Sequence, residues 1–345
     1  PVSQGHRLML AVVLAAGRGT RLGRLTKRRS KAMMPVAGKP MVERVLEMLA
    51  AGGVDDAVVV AHPDDDELLG FLHASRWSPR IRLAYQEKRL GMAHALAQAA
   101  PIVREAQTEA FVLASCDNLY PPGHVSDLIA LRETHGLDGA LTLKWAPREE
   151  ATASAVVRIE GRLVTGIIEK PRPGDIPAYD GSRRALTAPS LYALSSNVLD
   201  LLHRVRRSQR GEFEFPSVIG LWIADGARIG GCEVERRWTL TRPTDLLALN
   251  LRFLHLDPSC CTVDALLPET VIVGESVRIE AGARVGAAST VGPQVFLEEG
   301  SCVGPTAVVR RSVVLRGGTV DAGQTVEGSV SKRTALSTPL ASDSR

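Results

Sequence analysis

Aromatic residues are scarce in this chain: six Phe, four Trp and four Tyr make up 4% of 345 residues. A groove in which successive bases stack on aromatic rings therefore has little support. The five cysteines (Cys116, Cys232, Cys260, Cys261 and Cys302) are odd in number and lack CxxC spacing. They indicate neither a disulfide framework nor a zinc site and read as reduced, buried thiols of a cytoplasmic protein. No stretch reaches the ~20 apolar residues that cross a bilayer, so no membrane partner is expected. The net charge of +4 is too mild for this length to imply a nucleic-acid partner. What remains is 45% apolar and 23% charged, the composition of a globular protein long enough for one large domain and one small one.

The apolar run 9–16 follows His6 and Arg7 and has the look of a short leader. It leads straight into Gly17-Arg18-Gly19-Thr20-Arg21, a phosphate-loop composition and not a cleavage site, so it reads as a buried first strand. From there to about residue 145, apolar strand runs (9–15, 56–61, 81–85, 110–114, 139–144) alternate with amphipathic stretches (40–51, 64–74, 91–104, 125–134). This alternation predicts an α/β fold with a mostly parallel sheet and ligands beyond the carboxyl ends of its strands. Further strands are expected at 155–160, 164–169 and 185–194, and helices at 196–206, 214–225 and 243–254.

Beyond Asp257-Pro258-Ser259 the period changes. Val273, Ile279, Val285, Val291, Leu297, Val303, Val309 and Leu315 recur every six residues, and glycine follows the apolar residue at 274, 286, 292 and 304. Such a hexad belongs to a parallel β-helix with three faces per turn, here about three coils. The expected division is a nucleotide-binding domain over 1–258, a left-handed β-helix over 262–331, and an aperiodic, disordered tail over 332–345.

The chemistry concentrates in the loop after the first strand, Leu14-Ala15-Ala16-Gly17-Arg18-Gly19-Thr20-Arg21. Gly17 and Gly19 allow close backbone approach to a phosphate. Arg21 adds charge, continued by Lys27, Arg28, Arg29 and Lys31. The basic run alone also fits a nucleic-acid patch, but the neighbouring glycines point to a triphosphate. A Walker A loop is absent, and the third glycine of a dinucleotide fingerprint, Gly23, stands one residue late.

This loop, with Lys31 and the following Met34-Pro35-Val36-Ala37-Gly38-Lys39-Pro40, resembles the signature of sugar-1-phosphate nucleotidylyltransferases. Its spacing is closer to the dTDP- and UDP-glucose pyrophosphorylases than to the N-acetylglucosamine-1-phosphate uridylyltransferases. The resemblance continues in order through Gln86, Gly91-Met92-Ala93-His94-Ala95, Asp117-Asn118, Ile168-Glu169-Lys170-Pro171, Gly211-Glu212-Phe213-Glu214-Phe215, and Trp238 to Asn250. With seven lysines against thirty-five arginines in the chain, lysine at both 31 and 170 adds weight.

The resemblance implies a Rossmann-like nucleotidyltransferase domain that joins an NTP to a sugar-1-phosphate. It assigns catalytic charge to Arg21 and Lys31, and nucleotide binding to Leu14, Ala15, Ala16, Gly17, Gly19, Thr20, Gln86 and Gly91. It gives Mg²⁺ to Asp117, and the sugar and its phosphate to Glu169 and Lys170. Gln86 as reader of a pyrimidine edge favours UTP or dTTP over GTP. The plainer readings are a turn aspartate, a solvated glutamine and a surface Glu–Lys pair.

The pattern also breaks. Trp238-Thr239-Leu240-Thr241-Arg242-Pro243 has no carboxylate where a second metal ligand is usual. Ala155 and Ser190 stand where glycine is common, and Pro216-Ser217 where Thr-Asp is. These gaps support a rival reading, a weak or inactive regulatory paralogue that binds nucleotide or nucleotide sugar. The last histidine is His255, so the hexad region lacks the histidine base of an acyltransferase β-helix. Its expected role is assembly into a homo-oligomer or allosteric control.

Overall fold

A computed structural model describes residues 9–27, 29–177 and 183–331. Arg28 and the tail 332–345, of which disorder was expected, lie outside the described residues. The rest forms two compact units that do not follow chain order. Described residues up to Gly17 and within Val45–Arg237 make the first, and those within Arg18–Arg44 and from Trp238 onward make the second.

The first unit is built on a ten-stranded sheet. Its strands are β1 (Leu10–Leu14), β2 (Asp56–Ala61), β3 (Ile81–Tyr85), β4 (Ala110–Ser115), β5 (Gly139–Pro147), β6 (Ala155–Glu160), β7 (Leu163–Glu169), β8 (Arg184–Thr187), β9 (Leu191–Ser195) and β10 (Ile229–Glu233). They lie in the order β8-β6-β7-β10-β5-β9-β4-β1-β2-β3. The half made first in the chain, β3, β2, β1 and β4, is parallel throughout. Later strands bring antiparallel pairs, because β6 and β7 are joined by a turn too short for a crossover. The sheet is therefore mixed.

The α-helices longer than one turn are α1 (Met41–Ala51), α2 (Asp66–Ala74), α3 (Met92–Glu105), α4 (His124–Thr134), α5 (Phe215–Ala224) and α6 (Pro243–Leu256). On one face of the sheet Leu10, Val12, Val58, Val60, Phe111 and Leu113 pack against Leu96 and Val103 of α3 and against Phe215, Ile219 and Trp222 of α5. The alternate residues Ala11, Val13, Val59 and Val112 are fully buried as well. Burial on both faces explains why these strands read as continuous apolar runs and not as alternating ones. The expected strand 185–194 is divided, since Ala188-Pro189-Ser190 separates β8 from β9 and proline cannot donate to a ladder. The expected helix at 196–206 is a 3-10 helix, Ser196–Arg204.

In the second unit the hexads form three parallel sheets, one per face, of a short left-handed β-helix. Val273, Val291, Val309 and Val326 stack in one column, and Val285, Val303 and Val320 in another. The glycines after them lie where coils touch: a Cβ on Gly286 would stand 2.4 Å from the Pro305 nitrogen. The hexad count slips once. Val314, not Leu315, stacks on Leu297, because the corner at Arg310-Arg311-Ser312 is one residue shorter than the corresponding corner of the preceding coil.

The same unit holds the loop 18–44. Its tight hairpin, Pro35–Val36 with Lys39–Pro40, is pinned by Asn250 of α6. Asn250 is fully buried, accepts the Ala37 N–H at 2.7 Å, and donates to the carbonyls of Pro35 and Leu246. Arg44, also buried, donates to the Val36 and Ala37 carbonyls and stacks on Phe253.

Candidate active site

In the first unit the parallel strands reverse direction of spread at β1, with β4 on one side and β2 on the other. A crevice opens beyond the carboxyl ends at such a switch point. Leu14 ends β1, Ala15 and Ala16 are buried just past it, and Gly17 is exposed. The turn is fixed by Ala15 N–H to Val60 O (2.8 Å), Cys116 N–H to Leu14 O (3.1 Å), and Arg89 Nε to Ala16 O (2.6 Å). Arg89 was not singled out in the sequence; as a lone arginine in a loop it carries no pattern.

Asp117 follows β4. Its Oδ1 accepts from Ser115 Oγ at 2.7 Å and from Asn118 Nδ2 at 3.0 Å. Asn118 is buried, and its Oδ1 has no hydrogen-bond partner. A hard oxygen left without a partner beside a carboxylate is the kind of donor set Mg²⁺ takes, since that ion binds one or two protein carboxylates and completes its shell with phosphates and water. Among the described residues no three acidic, histidine or cysteine side chains gather as an all-protein metal cage.

Gln86 follows β3 and is 4% exposed. Its Nε2 donates to Gly91 O at 3.1 Å and to His94 Nδ1 at 3.0 Å. His94 is held below the usual histidine range by burial and by Arg207, so the ring stays neutral and can accept. With both donors committed, the Oε1 acceptor is the polar end left to a ligand. Gly91 caps α3 at φ 99°, and a Cβ there would meet the Phe213 carbonyl oxygen at 2.6 Å. Glycine is required at this position.

Glu169 ends β7 and Lys170 follows it. They do not stand alone: Glu169 Oε1 lies 3.6 Å from Lys170 Nζ and 3.2 Å from Arg210 Nη2, and Arg210 reaches Glu214 at 2.5 Å. Burial raises the Glu169 pKa, opposed by Lys170 and Arg210. Arg210 was missed in the sequence, although it directly precedes the quoted Gly211-Glu212-Phe213 motif. Of the positions that depart from the usual pattern, Pro216 sits in the first turn of α5, where its missing N–H costs nothing. Ser190 accepts the Ser115 N–H at 3.0 Å through its carbonyl.

Gly19, Thr20, Arg21 and Lys31 belong to the second unit. Gly19 adopts φ 65° and precedes a 3-10 helix, Thr20–Thr26, on which Thr20 and Arg21 are exposed. A Cβ at Gly19 would lie 3.0 Å from Lys31 Cβ, so the lysine stem rests on this glycine. At Gly17, by contrast, a Cβ would meet nothing within 4 Å. Its glycine is not needed for the fold. The carboxylate nearest after Trp238 is Asp245, and its Oδ2 is taken up by the N–H groups of Thr241 and Arg242 at the start of α6.

Comparison with known proteins bears on the family and the fold. The nucleotidyl transferase family profile matches residues 10–239. The chain belongs to the nucleotidyl transferase family. A bifunctional protein GlmU of Methanococcus maripaludis is 28% identical over 276 residues, which cover 80% of this chain and 61% of that protein. The chain thus spans about three fifths of that relative's length. A glucose-1-phosphate thymidylyltransferase of Streptomyces griseus is 28% identical over 342 residues, covering 93% of this chain and 91% of the relative. A crystal structure of a UDP-glucose pyrophosphorylase with UDP-glucose superposes with a TM-score of 0.63 at 17% identity. It covers 72% of this chain and 99% of that one, and shows the shared fold. No described helix is long and apolar enough to cross a membrane.

Proposed function

We propose that this chain transfers a nucleotidyl group from a nucleoside triphosphate, UTP or dTTP, to a sugar-1-phosphate. A sugar-phosphate oxygen bonds to the α-phosphorus, the α–β bridging bond breaks, and pyrophosphate leaves with the electron pair. Such a transfer needs positioning and charge neutralisation more than covalent help. The functional division follows the sequence, 1–258 for transfer and 262–331 for the β-helix, in an oligomeric, cytoplasmic enzyme.

In this reading the amides of Ala16 and Gly17 meet the triphosphate just past Leu14 and Ala15, whose own backbone is held in the sheet; Gly19 and Thr20 are further ligands of it, and Arg21 and Lys31 neutralise charge that develops on it. Asp117 would hold Mg²⁺, which when bound supplies further neutralisation at the phosphates. Glu169 takes sugar hydroxyls. Lys170, with Arg210 beside the same carboxylate, takes the sugar phosphate.

The observation that carries the reading is the fixed amide of Gln86. Flipping it would set its oxygen against the Gly91 carbonyl, so the orientation is determined by its partners. An acceptor at Oε1 suits the N3–H of uracil or thymine and repels the N3 lone pair of cytosine. Competition binding tests this: UTP or dTTP should bind at least ~100-fold tighter than CTP, because an unpaired buried polar group is costly. Gln86→Leu should level the two. Equal affinity for UTP, dTTP and CTP in the unsubstituted protein would overturn the assignment.

A second reading, a regulatory paralogue that binds nucleotide sugar without turning it over, is favoured by Asp245. Its carboxylate is engaged in capping α6, which leaves the 238–243 segment with no replacement for a second metal ligand.

A further inference from the structure

In sequence, the basic run after Gly19 looks like charge gathered for a triphosphate. One of its members is engaged elsewhere. Arg29 Nη1 lies 2.6 Å from Glu298 Oε1, and the two side chains are only 11% and 5% exposed. Glu298 directly follows the inward Leu297 in the second coil of the β-helix. Its other oxygen accepts the Arg316 N–H of the next coil at 2.7 Å. The carboxylate is therefore satisfied from two directions, by the loop and by the coil stacked on its own. Glu280 holds the equivalent place one coil earlier, since Ile279 stacks on Leu297. Its carboxylate likewise accepts an N–H of the next coil, that of Glu299, but its arginine partner is Arg278 of its own coil and not a residue of the loop.

A buried, fully hydrogen-bonded charge pair holds one arrangement far better than an exposed one. The arrangement it holds here is that of the loop. Arg29 is two residues from Lys31, whose stem rests on Gly19. Gly19 in turn is tied to Thr26, whose hydroxyl donates to its carbonyl at 3.1 Å. Glu298 holds Arg29, Arg29 is joined to Lys31 through the single residue Ser30, and the Lys31 stem rests on the Gly19 turn, so the series is anchored on a stacked coil.

We propose that Glu298 is a positioning residue for nucleotidyl transfer: acting through Arg29, it holds Lys31 and the Gly19 turn in the geometry that meets the triphosphate. This rests on the reading of Lys31 as a triphosphate ligand. It gives the β-helix a direct part in the reaction.

The test uses the full chain with Glu298→Gln, and Arg29→Lys as a second variant approaching from the loop side. Amide exchange in residues 29–33 should quicken at least ~10-fold in both variants, as expected when a local tie is lost, while the β-helix amides of 272–297 keep their protection. Unchanged exchange at 29–33 would overturn the proposal. In turnover, Glu298→Gln should lower kcat by about 10–100-fold, since small misplacement of a charge-stabilising group is costly, with KM for the sugar-1-phosphate unchanged. Added to Lys31→Ala it should cause no further loss. The same fold-loss with and without Lys31 would show that Glu298 acts by another route and refute the proposal. If the unsubstituted chain turns over no substrate pair, the transferase reading fails, and the exchange measurement still decides whether Glu298 orders the loop.

Discussion

Two glycines of the nucleotide-binding motifs should respond to alanine in opposite ways. At Gly91 the backbone stands at φ 99°, ψ 177°, a region essentially reserved for glycine, where a side chain costs of order 1–3 kcal/mol. The added Cβ would also lie 2.6 Å from the carbonyl oxygen and 3.0 Å from the nitrogen of Phe213. Both are backbone atoms and cannot rotate aside. The Phe213 N–H to Leu90 O bond (2.7 Å) and the Ala93 N–H to Phe213 O bond (3.0 Å) would have to stretch. Gly91→Ala should therefore destabilise the first unit by about 2–4 kcal/mol and displace the carbonyl that holds Gln86. At Gly17 a Cβ meets nothing, so Gly17→Ala should change stability by less than ~0.5 kcal/mol and still weaken triphosphate binding roughly tenfold or more by blocking backbone approach. Urea denaturation followed by tryptophan fluorescence gives the first quantity, and nucleotide titration the second. A Gly91→Ala protein within about 1 kcal/mol of the parent would refute the packing argument. A Gly17→Ala protein that binds nucleotide normally would remove Gly17 from the site.

Two further outcomes follow from the same geometry. Arg210→Ala removes a charged hydrogen bond beside Glu169, worth about 1.5–3 kcal/mol; KM for the sugar-1-phosphate should rise ten- to a hundredfold while KM for the nucleotide stays level, and an unchanged sugar-phosphate KM would contradict the assignment. His94 and His124 are both depressed by burial, reinforced at His94 by Arg207 and opposed at His124 by Asp127. The unfolded chain therefore binds more protons near pH 6, and the stability due to the neutral rings is complete above about pH 6.5 and is lost on acidification. Denaturation midpoints should fall between pH 7.5 and 5.5, less steeply in His124→Gln; a flat or rising midpoint would disprove this.

Much of the fold is visible in local pattern. Strands 56–61, 81–85 and 155–160 coincide with their apolar runs, and the hexads from Val273 to Val309 fall into the columns their spacing requires. The misplaced features have local causes that a period does not register: Pro189 interrupting a strand, and a corner shortened by one residue that puts Val314 in place of Leu315. At the site, motif order singled out Gln86 and Asp117, which follow strands, and Gly91, which caps α3. What stayed hidden depends on contacts distant in sequence. Nothing local connects Arg29 with Glu298, Arg89 with the Ala16 carbonyl, or Arg210 with Glu169. Nor does the sequence indicate that residues 18–44 fold with α6 and the β-helix, since that follows from Asn250 and Arg44, which look like ordinary polar residues of helices.

The central claim is most directly tested by pyrophosphate release with Mg²⁺, using UTP, dTTP, CTP, ATP and GTP against a panel of sugar-1-phosphates, with Asp117→Ala and Lys31→Ala alongside. The account predicts turnover with UTP or dTTP and at least one sugar-1-phosphate, abolished by Asp117→Ala and lowered at least ~100-fold by Lys31→Ala. No turnover with any pair, from folded protein that binds a nucleotide sugar, would contradict it and establish the regulatory reading instead.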